Sequence, residues 1–209
     1  VALLRKALKD MGMEQIPVIS VNMAGLEKNP GFKISKGIIK RGMMAVMYGD
    51  LLMRVLYATR PYEKVPGSAN ALYEECCNMI RDNIVSGDMK EYKRLMKVIV
   101  EKFDQLPLLD IQKPRVGVVG EILVKYHPNA NNDIVNIIES EGGEAVVLDL
   151  ADFFLYGMYS KKFNYEHLSG SWKQMKGNQI AIDILELIRK PYRKALRESR
   201  RFEEPLHIE

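Results

Sequence analysis

An α/β fold built on a parallel sheet is predicted by three observations in the second half of the sequence. Val116, Val118 and Val119, with Gly117 and Gly120, form a short apolar run with Pro114 before it and a polar loop after it. A strand buried on both faces reads this way. Ile134, Ile137 and Ile138 then recur at helical spacing, which predicts a helix with one face on the sheet. Gly142 and Gly143 end that helix cheaply, and Ala145–Leu148 is an apolar returning strand. Two strands joined through a helix run parallel, with a right-handed crossover. Together with a strand expected at Pro17–Val21, this predicts a Rossmann-like doubly wound parallel sheet with an inserted helical layer. Residues 1–209 are read as a single α/β domain and as a piece of a longer polypeptide. Residues 113–209 supply the core βαβ unit and the C-terminal helices, and residues 34–106 the helical insertion.

The remaining elements follow in chain order. Ala2–Lys9 has a helical pattern that Gly12 stops. Val18, Ile19 and Val21 are β-branched, which suits a strand. Asn22–Phe32 is a loop, and Ile34–Leu56 is a long Met-rich helix, apolar almost all round, hence buried or in an interface. Asp50 and Arg54 within it are spaced for an i,i+4 pair. Asn70–Ile84 carries Tyr73, Cys76, Cys77, Ile80 and Ile84 on one stripe. Asp88–Leu106 is a clean amphipathic helix with Tyr92, Leu95, Met96, Ile99 and Phe103 on its apolar face. After Asp149 and Asp152, at the expected strand end, six aromatic residues crowd into Phe153–Tyr165. This segment reads equally as a core-covering helix or as a docking surface, where aromatics are favoured. Trp172–Phe202 is the last helix, with Ile180, Ile184, Leu187 and Ile188 as its expected buried stripe and Pro191 expected to kink or split it.

A ligand of an open parallel sheet binds beyond the carboxyl ends of the strands, at the helix N-termini. The candidate ligand-binding residues are therefore Gly120, Glu121, Lys125, His127, Asn129, Asn131 and Asn132, joined by Asn22 from the other strand end. Asn131 or Asn132 is placed to cap the following helix. The loop matches neither a dinucleotide fingerprint nor a phosphate loop, since it reads GxxGE and no GK[ST] follows. Most polar loops of this kind are a solvated helix start without chemistry.

Composition excludes several classes. The 209 residues are 47% apolar, enough for a sizeable core. The net charge of +4 is local: Arg189–Arg201 holds seven basic residues against Glu198, and the rest of the chain is net negative. No nucleic-acid footprint results. That cluster reads as a solvated face, or more sharply as a phosphate-binding one. The two cysteines, Cys76 and Cys77, are adjacent, so no disulfide framework exists and a reduced, cytoplasmic compartment fits. They read as core residues rather than as metal ligands, because an iron–sulfur cluster usually takes about four thiolates. No run is apolar enough to span a bilayer, so no membrane partner is expected. His127, His167 and His207 lie in no metal-binding spacing, and no catalytic residue is assigned.

Three strings, PVISVNMAGLEKNPGF, MYGDLLMRVLYATRPYEKVPGSANALYE and VGVVGEILVKYHPNANNDIVNIIESEGGEAVVLDLADFFLYGMY, together resemble one family. It is that of the large fused proteins known as CoA-substrate-specific enzyme activases, or 2-hydroxyglutaryl-CoA dehydratase activator-related proteins. The chain resembles part of their dehydratase-like portion, including a segment often labelled a domain of unknown function. The resemblance implies a parent protein of anaerobic metabolism. In it, an activase uses ATP hydrolysis to drive an electron into an iron–sulfur dehydratase that removes water from a 2-hydroxyacyl-CoA. The activase phosphate loops and a full set of cluster cysteines do not occur in this sequence, so no cofactor is expected in this chain and the piece alone is not expected to be catalytic. Two roles follow from the resemblance. The chain frames an acyl-CoA site completed elsewhere, or it docks the rest of the parent polypeptide or a dehydratase subunit. A homodimer is compatible with both.

Overall fold

The computed structural model describes residues 2–18 and 35–205. The chain forms two compact units, Val1–Ile39 and Lys40–Glu209. In the first, helix α1 (Ala2–Asp10) ends in a turn at Gly12, whose φ of 69° is the left-handed region where glycine carries no Cβ penalty. The strand expected at Pro17–Val21 falls largely outside the described residues, and so does Asn22.

The second unit is built mainly of helices. Helix α2 (Lys36–Tyr57) belongs to it from Lys40 onward. It is followed by a single 3-10 turn (Arg60–Tyr62), α3 (Ser68–Ser86) and α4 (Met89–Asp104). Glu63 starts α3 by accepting from the backbone N–H of Gly67 (2.6 Å) and Ala69 (2.8 Å). Asp88 caps α4 through the N–H of Lys90. Strand β1 (Arg115–Val118), two short helices α5 (Ile122–Tyr126) and α6 (Ile134–Ser140), and strand β2 (Glu144–Val147) come next. A helical hairpin, α7 (Leu150–His167) and α8 (Trp172–Arg197), completes the unit. Gly170 makes its tight connection, because a Cβ there would come 2.6 Å from the backbone nitrogen of Tyr165.

The strands pair parallel, Arg115 opposite Glu144 through Val118 opposite Val147, as the βαβ pattern predicts. The predicted fold class does not hold. The described residues are mostly helical, and their one sheet has just these two strands, so this is not a Rossmann-like doubly wound sheet with a helical addition. The helices form the main body instead. Leu51, Met47, Tyr92, Ile99, Phe103, Leu155, Leu185 and Leu196 belong to one continuous core drawn from α2, α4, α7 and α8, with Cys76 of α3 inside it. The two strands and α6 contribute a satellite of Val118, Val135, Ala145 and Val147, packed against Met53 and Tyr57 of α2.

Two further expectations are corrected by burial. The valine run is not covered on both faces, since Val116 of β1 is 40% and Val119, just beyond β1, 82% exposed. Among the described residues β1 has a single neighbouring strand, and only Val118 of β1 joins the satellite core. In α8 the buried stripe is Ile182, Leu185, Ile188, Tyr192 and Leu196, while Ile180, Ile184 and Leu187 are exposed. Pro191 does not split α8, which runs through it.

Candidate functional site

The loop after β1 is short of what a ligand site needs. Glu121 caps α5, its Oε1 accepting from Val124 N–H at 3.0 Å. Lys125 is buried, with Nζ 4.9 Å from the centre of the Tyr126 ring, a cation–π distance. The Asn131 side chain bridges the loop: its Nδ2 donates to Lys125 O and its Oδ1 accepts from Ile134 N–H, both at 3.4 Å. Asn131 thereby does the capping work at α6, although the residue at the helix start is Asp133. Asn132 and Asp133 both take a φ of 55°, a left-handed pair that short polar side chains tolerate. Lys125, Tyr126 and Asn131 line a cavity of about 50 Å³ with Met53, Tyr57 and Val147. That is room for a water molecule and not for a coenzyme. Gly120, Glu121, His127, Asn129 and Asn132 are exposed and do not line it. Of the predicted site residues, the structure brings together Lys125 and Asn131. The shared polar rim with Asn22 rests on a residue outside those described.

A different cluster lies at the carboxyl end of β2. Asp149 is fully buried. Its Oδ1 accepts from Arg54 Nη2 at 2.8 Å, and its Oδ2 from Tyr192 Oη at 2.6 Å and Arg189 Nη2 at 3.2 Å. Arg54 Nε also donates to Tyr192 Oη at 2.9 Å. Arg189, 2% exposed, lies 2.6 Å from Asp152 Oδ1 as an ion pair without the angle of a hydrogen bond. Asp50 of α2 accepts from the backbone N–H groups of Leu150 (2.7 Å) and Ala151 (2.9 Å), so it caps α7 across the core. The expected Asp50–Arg54 pair is replaced by these bonds. Burial pushes the Asp50 carboxyl up to about 7, and the charges of Asp149 and Asp152 add to the rise, against the two backbone donors. Burial also raises Asp152, with Arg189 opposing it. Three carboxylates and two guanidiniums thus share one desolvated space.

This network ties α2, α7 and α8 together. Sequence reading placed Asp149 and Asp152 at the strand end and missed Arg189 and Arg193 as buried residues. Both belong to the cluster expected to be solvated or phosphate-binding, and both are instead committed to carboxylates: Arg189 to Asp149 and Asp152, Arg193 to Glu204 at 2.6 Å. The one available signal was Asp50 and Arg54 inside an otherwise apolar helix, because charges there need buried partners.

At the amino ends of the strands a cleft of about 300 Å³ is lined by Arg54, Tyr62, Arg115, Glu144, Arg201 and Phe202, among others. Its charges are already matched. Tyr62 Oη donates to Glu144 at 2.7 Å, Arg115 lies 3.3 Å from the same carboxylate, and Arg201 donates to the backbone oxygens of Phe103, Asp104 and Leu106. No arginine there is left to seize a phosphate.

Cys76 is buried and Cys77 half-buried on α3, both as free cysteines. Cys76 sits in the helical core with its thiol pushed up to about 12 by burial and then by Glu75. Burial raises Cys77 as well. Both shifts oppose the thiolate, which is the ligating form. Among the described residues no group of three or more His, Cys, Asp or Glu is placed to hold a metal ion, and no helix is long and apolar enough to cross a membrane. No protein-family model, curated protein or solved structure matches the chain. The resemblance to activase-related proteins therefore stands on the three strings alone.

What the surface does offer is apolar. Helix α7 buries Ala151 and Leu155 and turns Phe153, Tyr156 and Phe163 outward. Helix α8 turns out Ile180, Ile184 and Leu187. The Met-rich helix α2, the other expected docking element, instead buries Met44 and Met47 in the core.

Proposed function

We propose that this chain is a non-catalytic docking module of a multidomain cytoplasmic protein related to 2-hydroxyacyl-CoA dehydratase activators. The observation that carries this reading is the outer face of α7. Phe153, Tyr156 and Phe163 recur at helical spacing and are all exposed, on a helix whose opposite side already fills the core. Large aromatics gathered on one exposed face suit a protein interface, where each contributes rigid contact area. The partner is the rest of the parent polypeptide or a dehydratase subunit. Calorimetric titration of the chain with the separately produced remainder of its parent tests this. Binding is expected, and Tyr156→Glu with Phe163→Glu should weaken it by about tenfold or more. Absence of binding, or binding indifferent to both changes, overturns it.

A second reading has one observation in its favour. Lys125, Tyr126 and Asn131 converge at the strand ends, where an acyl-CoA site completed outside the chain would be framed. In the full-length parent, Lys125→Ala should then raise the Kd for a 2-hydroxyacyl-CoA measured by equilibrium binding. An unchanged Kd removes this reading.

A further inference from the structure

Helix α8 has two apolar faces, and among the described residues only one has a partner. The inner face is Ile182, Leu185, Ile188, Tyr192 and Leu196. On the outer face Ile180, Ile184 and Leu187 are 61%, 48% and 69% exposed, at i, i+4 and i+7. Gly177 and Pro191 extend the same line by one turn each way. Three adjoining large aliphatics at these exposures form a contiguous patch rather than scattered surface residues. Along one flank, seven residues apart and so nearly in register, stand Lys176, Asp183 and Lys190. Among the described residues neither Asp183 nor Lys190 has an ion-pair partner, and Asp183 takes only the amide of Gln179 at 3.0 Å.

We propose that this face pairs with the same face of a second copy, the two α8 helices running antiparallel about a two-fold axis near Leu185–Glu186. In that register Ile184 packs on Leu187 of the second copy and Ile180 on its Pro191. Asp183 then stands beside Lys190 of the second copy, and the two-fold axis repeats the pair. The surface is thus complementary to itself, as an isologous interface must be. Parallel pairing would set Asp183 against Ile188 and Lys190 against Ala195, which are buried in their own chain and offer no charge. Lys176 falls near Arg197 of the second copy, whose charge is already held by Glu204 through two bonds of 2.9 Å. The patch is narrow against the roughly 800 Å² per partner of a standard interface, so association is of the weak, concentration-dependent class. The exposed ion pairs set orientation more than strength. This inference concerns a different helix and a different partner from the α7 reading and does not rest on it.

Sedimentation of the full chain across a concentration series from about 1 to 500 μM tests the proposal. A reversible monomer–dimer equilibrium is expected. Ile184→Asp should raise the dimer Kd by about tenfold or more, with helix content unchanged by circular dichroism. Asp183→Lys and Lys190→Asp should each weaken the dimer, and the two together should restore it, because the pair is re-formed with its signs exchanged. A chain monomeric at every concentration overturns the proposal. So does a dimer that survives Ile184→Asp, or one that is lost with Tyr156→Glu instead. A doubly exchanged variant no stronger than either single one overturns the antiparallel register.

Discussion

The helical body and the βαβ part of this chain hide apolar side chains to very different degrees. Leu51, Met47, Tyr92 and Phe103 are 0% exposed, whereas Val116 in β1 and Val119 just after it face solvent although valine favours burial. Parallel strands are normally covered on both faces by their crossover helices. Here α6 packs on β2, and among the described residues β1 keeps an open side. The lesson is that a βαβ pattern fixes strand direction while its neighbours fix burial. The same residues are a core in one setting and a surface in another.

The largest effect should come from the buried polar network that ties α2, α7 and α8 within the helical body. Asp149→Ala leaves Arg54, Arg189 and Tyr192 without their shared acceptor, and removing one partner of a buried charge network typically costs about 3–5 kcal/mol. Urea unfolding monitored by circular dichroism measures it, and a loss confined to the surface range would mean that the network is not what holds the three helices together. Within the helical body, Leu51→Ala should cost about 2–5 kcal/mol through the cavity it leaves. At the hairpin turn, Gly170→Ala should cost about 1–3 kcal/mol by forcing the α7–α8 connection apart, read as a lowered denaturation midpoint. On the open strand, Val116→Ala should stay within about 0.5 kcal/mol of the parent chain. A Val116→Ala cost equal to that of Leu51→Ala would erase the contrast between the two regions.

Acidity sharpens it in a different way. Because the Asp50 carboxyl is raised in the folded chain, the folded form keeps a proton between about pH 4 and 7 that the unfolded form has released. Its stabilising contribution is complete below the unfolded value and is lost as pH rises through about 7. Glu204 acts oppositely: bonds from Arg197 and Arg193 lower it to about 2, so its contribution is present above the ordinary glutamate range and lost as pH falls toward 2. The Tm should therefore rise modestly from pH 8 to pH 5, and Asp50→Asn should flatten that rise. A Tm that falls over this interval in the parent chain would contradict the desolvation of Asp50.

Much of the secondary structure was legible in the sequence. The Asp88–Leu106 periodicity and the placement of Cys76 in the core correspond to α4 and to the buried face of α3. The parallel pairing followed from strand, helix, glycine pair and strand. Fold class was not legible, because a doubly wound sheet and a helical body with one βαβ unit share the same local pattern. Residue spacing also misassigned the faces of α8. Ile180–Leu187 and Ile182–Leu196 both satisfy helical periodicity, and which face meets α4 and α7 is decided by those helices. In the candidate loop Asn131 and Glu121 spend polar atoms on local caps, an arrangement their identity alone does not separate from ligand binding. The Asp149 network was hidden because its members lie far apart in the chain, Arg54 being 95 residues from Asp149.

The bond from Asp50 to the start of α7 spans 100 positions of chain. During synthesis this carboxylate leaves the ribosome long before the two amides that it serves, and it must wait in water for them. At typical elongation speeds of about 5–20 residues per second that wait lasts several seconds. The start of the hairpin is therefore completed late, when the emerging segment returns to a helix made much earlier, and a chain stalled before Leu150 would hold a carboxylate with no amides to receive it.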